Sequence, residues 1–444
     1  MRISSLTFFL LLSGCAVVDP YNIIGRTYVP TPAADSPLST QASDAWKQQA
    51  LDQVWTTVNE RYYDAALNGV DWSAARAKYE PLIKAAANDD AFWELLDKMT
   101  GELRDSHTRV HSPKQVAQQR VFESHSLGIN FLEMDGALLL SSVHPESDAY
   151  WAGARTGMTI KTISNEPALE VFRHMLAEAR DSSTPWARTR GAVRKISAGD
   201  VDSVAMMTFV RTDGSDFSAT MKRRVFRSPP STANRVLPSG YGYIRFSNFV
   251  GSMESDILRA VERMKATPGM VIDLRNNGGG SLTMATALIN AFLSEPQKGA
   301  RLLTRTGKAP TLLFVEVLKL ETELKGSRGR AYTKPLVILT NEGSASASEV
   351  FASALQDLGR ATVIGQRSCG CLLGFLGFAD LPGGGQLAYS ELGFISPKGK
   401  RIEREGVAPD GEVNLTREDY VLGRDRILEA AVTFLDDVTT VTKK

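Results

Sequence analysis

Three cysteines and five histidines are few for a chain of 444 residues, and each scarcity narrows the chemistry available. Cys15 stands alone near the N-terminus, and Cys369 and Cys371 are one residue apart. That is too few for a disulfide framework, and two cysteines with no histidine at ligand spacing do not make a zinc site, so no metal is expected. Charge of one sign is lacking too. The 51 Lys and Arg against 50 Asp and Glu leave a net charge of +1, without the basic footprint of a nucleic-acid partner. Beyond the first residues no apolar run reaches the roughly 20 residues that span a bilayer. What remains, 43% hydrophobic and 23% charged residues, is the composition of an ordinary globular chain, long enough for two or three domains.

The N-terminus is the exception. Arg2 precedes the apolar run Leu6–Leu12, too short to cross a membrane and of the length of a secretory signal. It ends in Leu12-Ser-Gly-Cys15, which resembles the bacterial lipobox, where the cysteine is lipidated and becomes the first mature residue. The alternative is a plain signal with an unrelated cysteine nearby. The expectation is therefore a signal peptide over 1–14, lipidation at Cys15 and a Pro/Thr/Ser/Ala-rich tether over 15–43. Ala16 after the cysteine points, in a Gram-negative cell, to the outer membrane with the protein facing the periplasm.

From 44 to 122 the pattern is helical: Ala50, Val54, Val58 and Tyr62 share one face, as do Phe92, Leu95, Leu96 and Met99. Trp46, Trp55, Trp72 and Trp93 read as its core aromatics. The helical stretch gives way to Glu102-Leu-Arg-Asp-Ser-His107, a loop position for the histidine. Residues 123–230 read as short strands around a helix at Leu169–Leu176. Ser126-Leu-Gly-Ile129, then Gly153-Ala-Arg-Thr-Gly157, resemble the loop and turn of a PDZ domain. That resemblance implies peptide binding at Leu127, Gly128 and Ile129 by strand addition. Met158 and Ser126 depart from the usual pattern there.

Residues 231–444 alternate strands and helices and close with a terminal helix at about Glu418–Leu435, which indicates an α/β core. Strand-like Met270–Leu274 runs into Asp273-Leu-Arg-Asn-Asn-Gly-Gly-Gly280 and then a helical pattern, a layout whose backbone N–H groups can surround an anion or simply pack tightly. Pro335–Leu339 reads as a buried strand, and after Gly343 the period becomes helical through Leu358. Ser344, Ser346 and Ser348 therefore fall where a strand turns into a helix N-terminus. Ser346-x-x-Glu349 fits a capping box, and equally a nucleophile with an amide-lined oxyanion site. For Cys369 and Cys371, two buried thiols are expected, because bridging across one residue is geometrically demanding; a redox pair is the alternative.

Asp273–Gly280, Gly343-Ser-Ala-Ser-Ala-Ser-Glu349, Gly365 and Gly406-Val-Ala-Pro-Asp410 occur in the order found in the C-terminal-processing (tail-specific) serine peptidases, which the chain resembles from about Asp44 to its end. The resemblance implies a helical N-terminal domain, a PDZ-like domain and a ClpP/crotonase-like α/β protease core. It makes Ser346 the nucleophile, with Ala347 and Gly279 or Gly280 as oxyanion donors. Cys371 stands where that branch has its lysine base, and a thiol is a poor replacement. The branch similar to the tricorn core protease instead takes its base from a Ser-His pair after the helical region, with a glutamate before Gly-Val-x-Pro-Asp. Ser106, His107 and Glu403 match those positions.

These features imply a periplasm-facing lipoprotein serine endopeptidase that cleaves polypeptides through an acyl-enzyme, needs no cofactor, and touches the membrane only through lipidated Cys15. The competing reading is a catalytically inactive, PDZ-containing binding lipoprotein.

Overall fold

The computed structural model describes residues 45–312 and 315–441. The expected signal, the lipidated Cys15 and the tether lie outside these residues. Packing divides the chain into two compact units. The first contains the helical segment up to Arg120 with Pro296–Lys325 and Cys371–Arg404, and the second contains Val121–Glu295, Gly326–Gly370 and the chain from Glu405 onward.

In the first unit, helices α1 (Ala45–Arg61), α2 (Trp72–Lys84) and α3 (Asp89–Gly101) follow one another. The starts of α2 and α3 are set by polar caps: Asp71 accepts the N–H of Ala74, and Asn88 that of Ala91. The predicted apolar faces are the ones buried. Leu51, Val54, Val58, Tyr62, Phe92, Leu96 and Met99 form one core with Leu373, Leu387 and Tyr389 from much later in the sequence. Trp72 and Trp93 are buried in it and Trp46 and Trp55 pack on it. Trp55 and Trp72 each donate the indole N–H to the other's backbone carbonyl, at 3.1 and 3.0 Å. The strand Arg109–His111 pairs antiparallel with Gln386–Ala388, which anchors the loop before it.

The second unit holds two larger sheets and a two-stranded pairing of Glu123–Ser126 with Arg224–Arg227. Strands β1 (Ile129–Met134), β2 (Ala137–Val143), β3 (Thr159–Ile163), β4 (Val204–Val210) and β5 (Asp216–Lys222) lie in that order and pair antiparallel, with β1 at one end. Helices α4 (Ala168–Glu178) and α5 (Pro185–Ser197) cover it, and Phe172, Val193 and Ile196 join its core. The sequence reading assigns no element to 185–197. Thr184 caps α5 by accepting the N–H of Ala187, and Pro185 starts it, a signal present in the sequence but overshadowed by the polar run Ala187-Arg-Thr-Arg-Gly191.

The other sheet runs β6 (Thr232–Val236), β7 (Gly242–Phe246), β8 (Met270–Asp273), β9 (Leu336–Thr340), β10 (Thr362–Gly365) and β11 (Gly411–Glu412). All pairs but the first are parallel. Parallel strands need crossovers; α6 (Gly251–Arg263) joins β7 to β8, and α8 (Ala347–Asp357) joins β9 to β10. Helix α7 (Leu282–Asn290) follows the Gly-rich turn after β8. β9 is buried at every position, as its unbroken apolar run requires. The expected terminal helix Glu418–Leu435 is instead two helices, Arg417–Leu422 and Arg426–Val441. Gly423 separates them at φ +63°, the left-handed conformation that ends a helix. Ile427, Ala431 and Leu435 of the second pack on Val271, Val337, Leu339 and Ile364.

The cysteines correct a second expectation. Cys369 and Cys371 are not thiols but are bonded to each other. Gly370 between them takes φ +67°, which turns the chain sharply enough for its neighbours to meet.

Candidate active site

Ser346 sits where β9 gives way to α8, as the N-cap of that helix. Its backbone is at φ +56°, ψ −119°, a conformation a side chain adopts only under strain of about 1–3 kcal/mol. A sharp strand-to-helix turn of this kind lifts a serine hydroxyl out of the backbone and presents it. Glu349 holds the turn. Its Oε2 accepts the N–H of Ser346 at 3.0 Å, while its own N–H donates to the Ser346 carbonyl at 2.8 Å. The other carboxylate oxygen accepts Ser368 Oγ–H at 2.6 Å and Gly370 N–H at 2.7 Å. Glu349 is fully buried, so these donors replace the water its charge would otherwise require. The capping box and the presented serine are therefore the same structure.

The Gly-rich turn comes up against this serine. A side chain on Gly279 would lie 2.6 Å from the Cβ of Ser346 and 2.7 Å from the nitrogen of Ala347. Only a glycine, here at φ +93°, allows that approach. The Gly279 N–H donates to Asn277 Oδ1 at 2.9 Å. Asn277 is itself buried and fixed by its amide on the Phe246 carbonyl (2.9 Å). Among the described residues, no acceptor takes the N–H of Gly280 or of Ala347. Below the turn, buried Asp273 accepts from Tyr243 Oη (2.7 Å) and from Arg275, which also pairs with Asp425. Burial and Asp273 push the Tyr243 phenol up to about 12.

His107, Ser106 and Glu403 belong to the other unit. The loop after α3 is built on Asp105, which is fully buried. Its carboxylate accepts the His107 N–H (2.7 Å), Thr108 Oγ1–H and Ser390 Oγ–H (2.6 Å). The His107 ring is partly enclosed, and its Nδ1 is shielded from solvent without a hydrogen-bond partner. Desolvation lowers its pKa from the ordinary 6.5, and the nearby Asp105 charge only partly offsets this. At neutral pH the imidazole is thus uncharged, the form a general base needs. Ser106 is half-buried in the same loop. Glu403 is buried, and its Oε2 accepts the Leu372 N–H at 2.7 Å. Arg404 ties that segment to the histidine loop by donating to the Leu103 carbonyl at 3.1 Å. Burial raises the Tyr62 phenol well above its usual value, and the charges of Asp105 and Glu403 add to the effect.

Sequence reasoning missed Asp105, Ser368 and Ser390. Asp105 lies two residues before His107 and could have been read as a turn-forming carboxylate, but its bond to Ser390 spans 285 residues. The expected peptide-binding residues open β1. Leu127 N–H donates to the Ser197 carbonyl (3.0 Å), Gly128 N–H to Ser126 Oγ (3.2 Å), and the Ile129 carbonyl accepts Ser197 Oγ–H (3.2 Å). Among the described residues no cluster of acidic, histidine or cysteine side chains is arranged to hold a metal.

Residues 240–413 match peptidase family S41, and residues 43–101 match the tricorn protease C1 domain. A carboxyl-terminal-processing peptidase of Arabidopsis thaliana chloroplasts is 27% identical over 390 residues, covering 84% of this chain and 70% of its own. A carboxyl-terminal-processing protease of Synechocystis is 25% identical over 371 residues, covering 82% of this chain and 80% of its own. In fold the chain is similar to mature CPAF (TM-score 0.65, 14% identity, 89% of this chain and 97% of that one). It is also similar to the photosystem II D1 C-terminal processing protease (TM-score 0.54, 22% identity, 83% and 93%). The tricorn protease aligns at TM-score 0.51 and 17% identity over 90% of this chain and 37% of its own.

Proposed function

Because the chain belongs to peptidase family S41 and is a serine-type peptidase acting on polypeptides, we propose that Ser346 is its nucleophile and His107 its general base. The strained, Glu349-held turn at Ser346 is the observation that carries this reading. Ser346 Oγ attacks the peptide carbonyl as neutral His107 takes its proton. The tetrahedral oxyanion is held by the N–H of Ala347 and by the Gly-rich turn. Gly279 N–H is already engaged by Asn277, so Gly280 supplies the second donor while Gly279 allows the approach. Each such donor is worth about 3–4 kcal/mol in the transition state. His107 then protonates the leaving amine, and water releases the acyl group. Ser106 and Glu403 are read as the groups that orient the imidazole during turnover, by engaging the Nδ1 that carries no hydrogen bond in this structure. The reading requires the His107 loop and the Ser346 turn, which belong to separate units, to meet during turnover.

The absent lysine supports histidine as base: the position of the expected lysine is Cys371, whose sulfur is bonded to Cys369 and accepts no proton. The same bond removes Cys371 as an alternative nucleophile. The sheet β1–β5 with α4 and α5 is read as a PDZ-like domain, and the parallel sheet β7–β11 as a ClpP/crotonase-like core. Because Leu127 and Gly128 spend their N–H groups internally, peptide contact at Leu127–Ile129 uses the edge of β1 rather than a carboxylate cradle. Lipidation at Cys15 would tether the enzyme to the outer membrane, facing the periplasm. Among the described residues no helix is long and apolar enough to cross a membrane.

The test is digestion of an unfolded polypeptide of known sequence, with products mapped by mass spectrometry. Cleavage by the wild type and none by Ser346→Ala is expected. Intact substrate with both proteins would favour the non-catalytic binding reading.

A further inference from the structure

The disulfide at the position of the expected lysine lies one hydrogen bond from the nucleophile's support. Gly370, enclosed between Cys369 and Cys371, donates its N–H to Glu349 Oε1 at 2.7 Å, and Glu349 Oε2 holds the N–H of Ser346 at 3.0 Å. Both backbone groups of Cys369 are engaged. Its N–H donates to the Ser344 carbonyl (2.9 Å), two residues before Ser346, and its carbonyl accepts Thr184 Oγ1–H (3.0 Å) from the cap of α5. Ser368, the residue before the pair, donates to the same carboxylate oxygen as Gly370. The turn closed by the disulfide therefore aims an amide at a buried carboxylate and meets the nucleophile's own loop.

A global stabilising role is a poor explanation for this bond. Closing a loop of three residues removes little freedom from the unfolded chain, and the stabilisation expected from a disulfide grows with loop length. Its effect is local: with the bond closed, Gly370 is held at φ +67°, and with it open the glycine regains the freedom that its lack of a side chain allows.

We propose that the Cys369–Cys371 disulfide is a redox-sensitive positioning element for Ser346, so that opening it with a dithiol lowers the reactivity of the serine. The inference rests on Ser346 as nucleophile. A thiolate of the dithiol attacks one sulfur and forms a mixed disulfide, and its second thiol closes on the first. Two electrons and two protons pass to the pair, which becomes two thiols, and the reductant leaves as a cyclic disulfide. Both cysteines are buried, at 6% and 4% exposure, so only a small reductant fits.

The experiment uses the full-length protein and measures the rate at which a fluorophosphonate labels Ser346. It compares the protein as oxidised, after dithiothreitol, after reoxidation with oxidised glutathione, and as Cys369→Ser/Cys371→Ser. Thiol content is read by intact mass after alkylation. Reduced protein and the double variant are expected to label at least about tenfold more slowly, the effect of losing one hydrogen bond to a charged group, with recovery on reoxidation. Peptide turnover should lose kcat at unchanged KM, and the melting temperature should stay close to that of the oxidised form, which a merely structural bond would not give. Equal labelling of oxidised and fully reduced protein overturns the proposal, and so does a bond that dithiothreitol leaves closed in the folded protein. Failure of the oxidised protein itself to label sinks Ser346 as nucleophile, and this inference with it.

Discussion

The carboxylate of Glu349 lies 3.0 Å from the amide of Ser346, and through its other oxygen it gathers Ser368 and Gly370. One buried acid thus fixes the turn that presents the serine and the loop that follows β10. Replacement by glutamine keeps the shape but places an NH2 group against donors whichever way the amide lies. Glu349→Gln is expected to cost about 3 kcal/mol of stability, measured by urea unfolding, and to slow fluorophosphonate labelling of Ser346 at least tenfold.

The backbone of Ser346, at φ +56°, predicts a separation of stability from activity. Ser346→Ala and Ser346→Gly should both abolish peptide cleavage. Only the glycine relieves the conformation, so Ser346→Gly is expected to be about 1 kcal/mol more stable than Ser346→Ala in thermal or urea melts. Equal stabilities would mean that the turn carries no strain.

Gly279 tests the approach of the Gly-rich turn. A methyl group there would meet Ala345 O, Ser346 Cβ and Ala347 N, all within 2.7 Å. Gly279→Ala should fold, because the clash is confined to the turn, yet lose roughly 100-fold or more in kcat, the scale of removing an oxyanion donor.

His107 sets the acid limb of the pH profile. Burial lowers its folded pKa below 6.5, so kcat/KM should rise with an apparent pKa under that value and stay level through neutrality. The same shift affects folding. Above pH 6.5 the ring is neutral in both folded and unfolded chain, and its contribution to stability is complete. As pH falls below 6.5 the unfolded chain takes up the proton first, and that contribution is lost until the folded pKa is passed. His107→Gln should flatten this part of the stability curve, read from urea midpoints at a series of pH values.

Much of the fold was legible where the pattern is local. The run Pro335–Leu339 and the helical period after Gly343 became β9 and α8 within two or three residues, because a buried parallel strand and an amphipathic helix each carry their period in the sequence. The strand–turn–helix at Met270–Leu293 was legible for the same reason. Ser346, Ala347, Gly279 and Gly280 could be proposed together because two such motifs occur in the same chain. The groups that hold them could not. Glu349 reads as an ordinary capping residue until Ser368 and Gly370 are seen on its far oxygen, and Asp105 reads as a loop acid until Ser390 arrives from 285 residues away. The Cys369–Cys371 bond departs from the expected pair of thiols because the left-handed turn that Gly370 permits brings together two cysteines whose one-residue spacing otherwise disfavours bridging.

The most direct test of the account is fluorophosphonate labelling of the wild type, Ser346→Ala and His107→Ala side by side, with the modified peptide located by mass spectrometry. A label on Ser346 is expected in the wild type, none in Ser346→Ala, and labelling of His107→Ala slowed by at least a hundredfold. Labelling of His107→Ala at the wild-type rate would contradict His107 as the base.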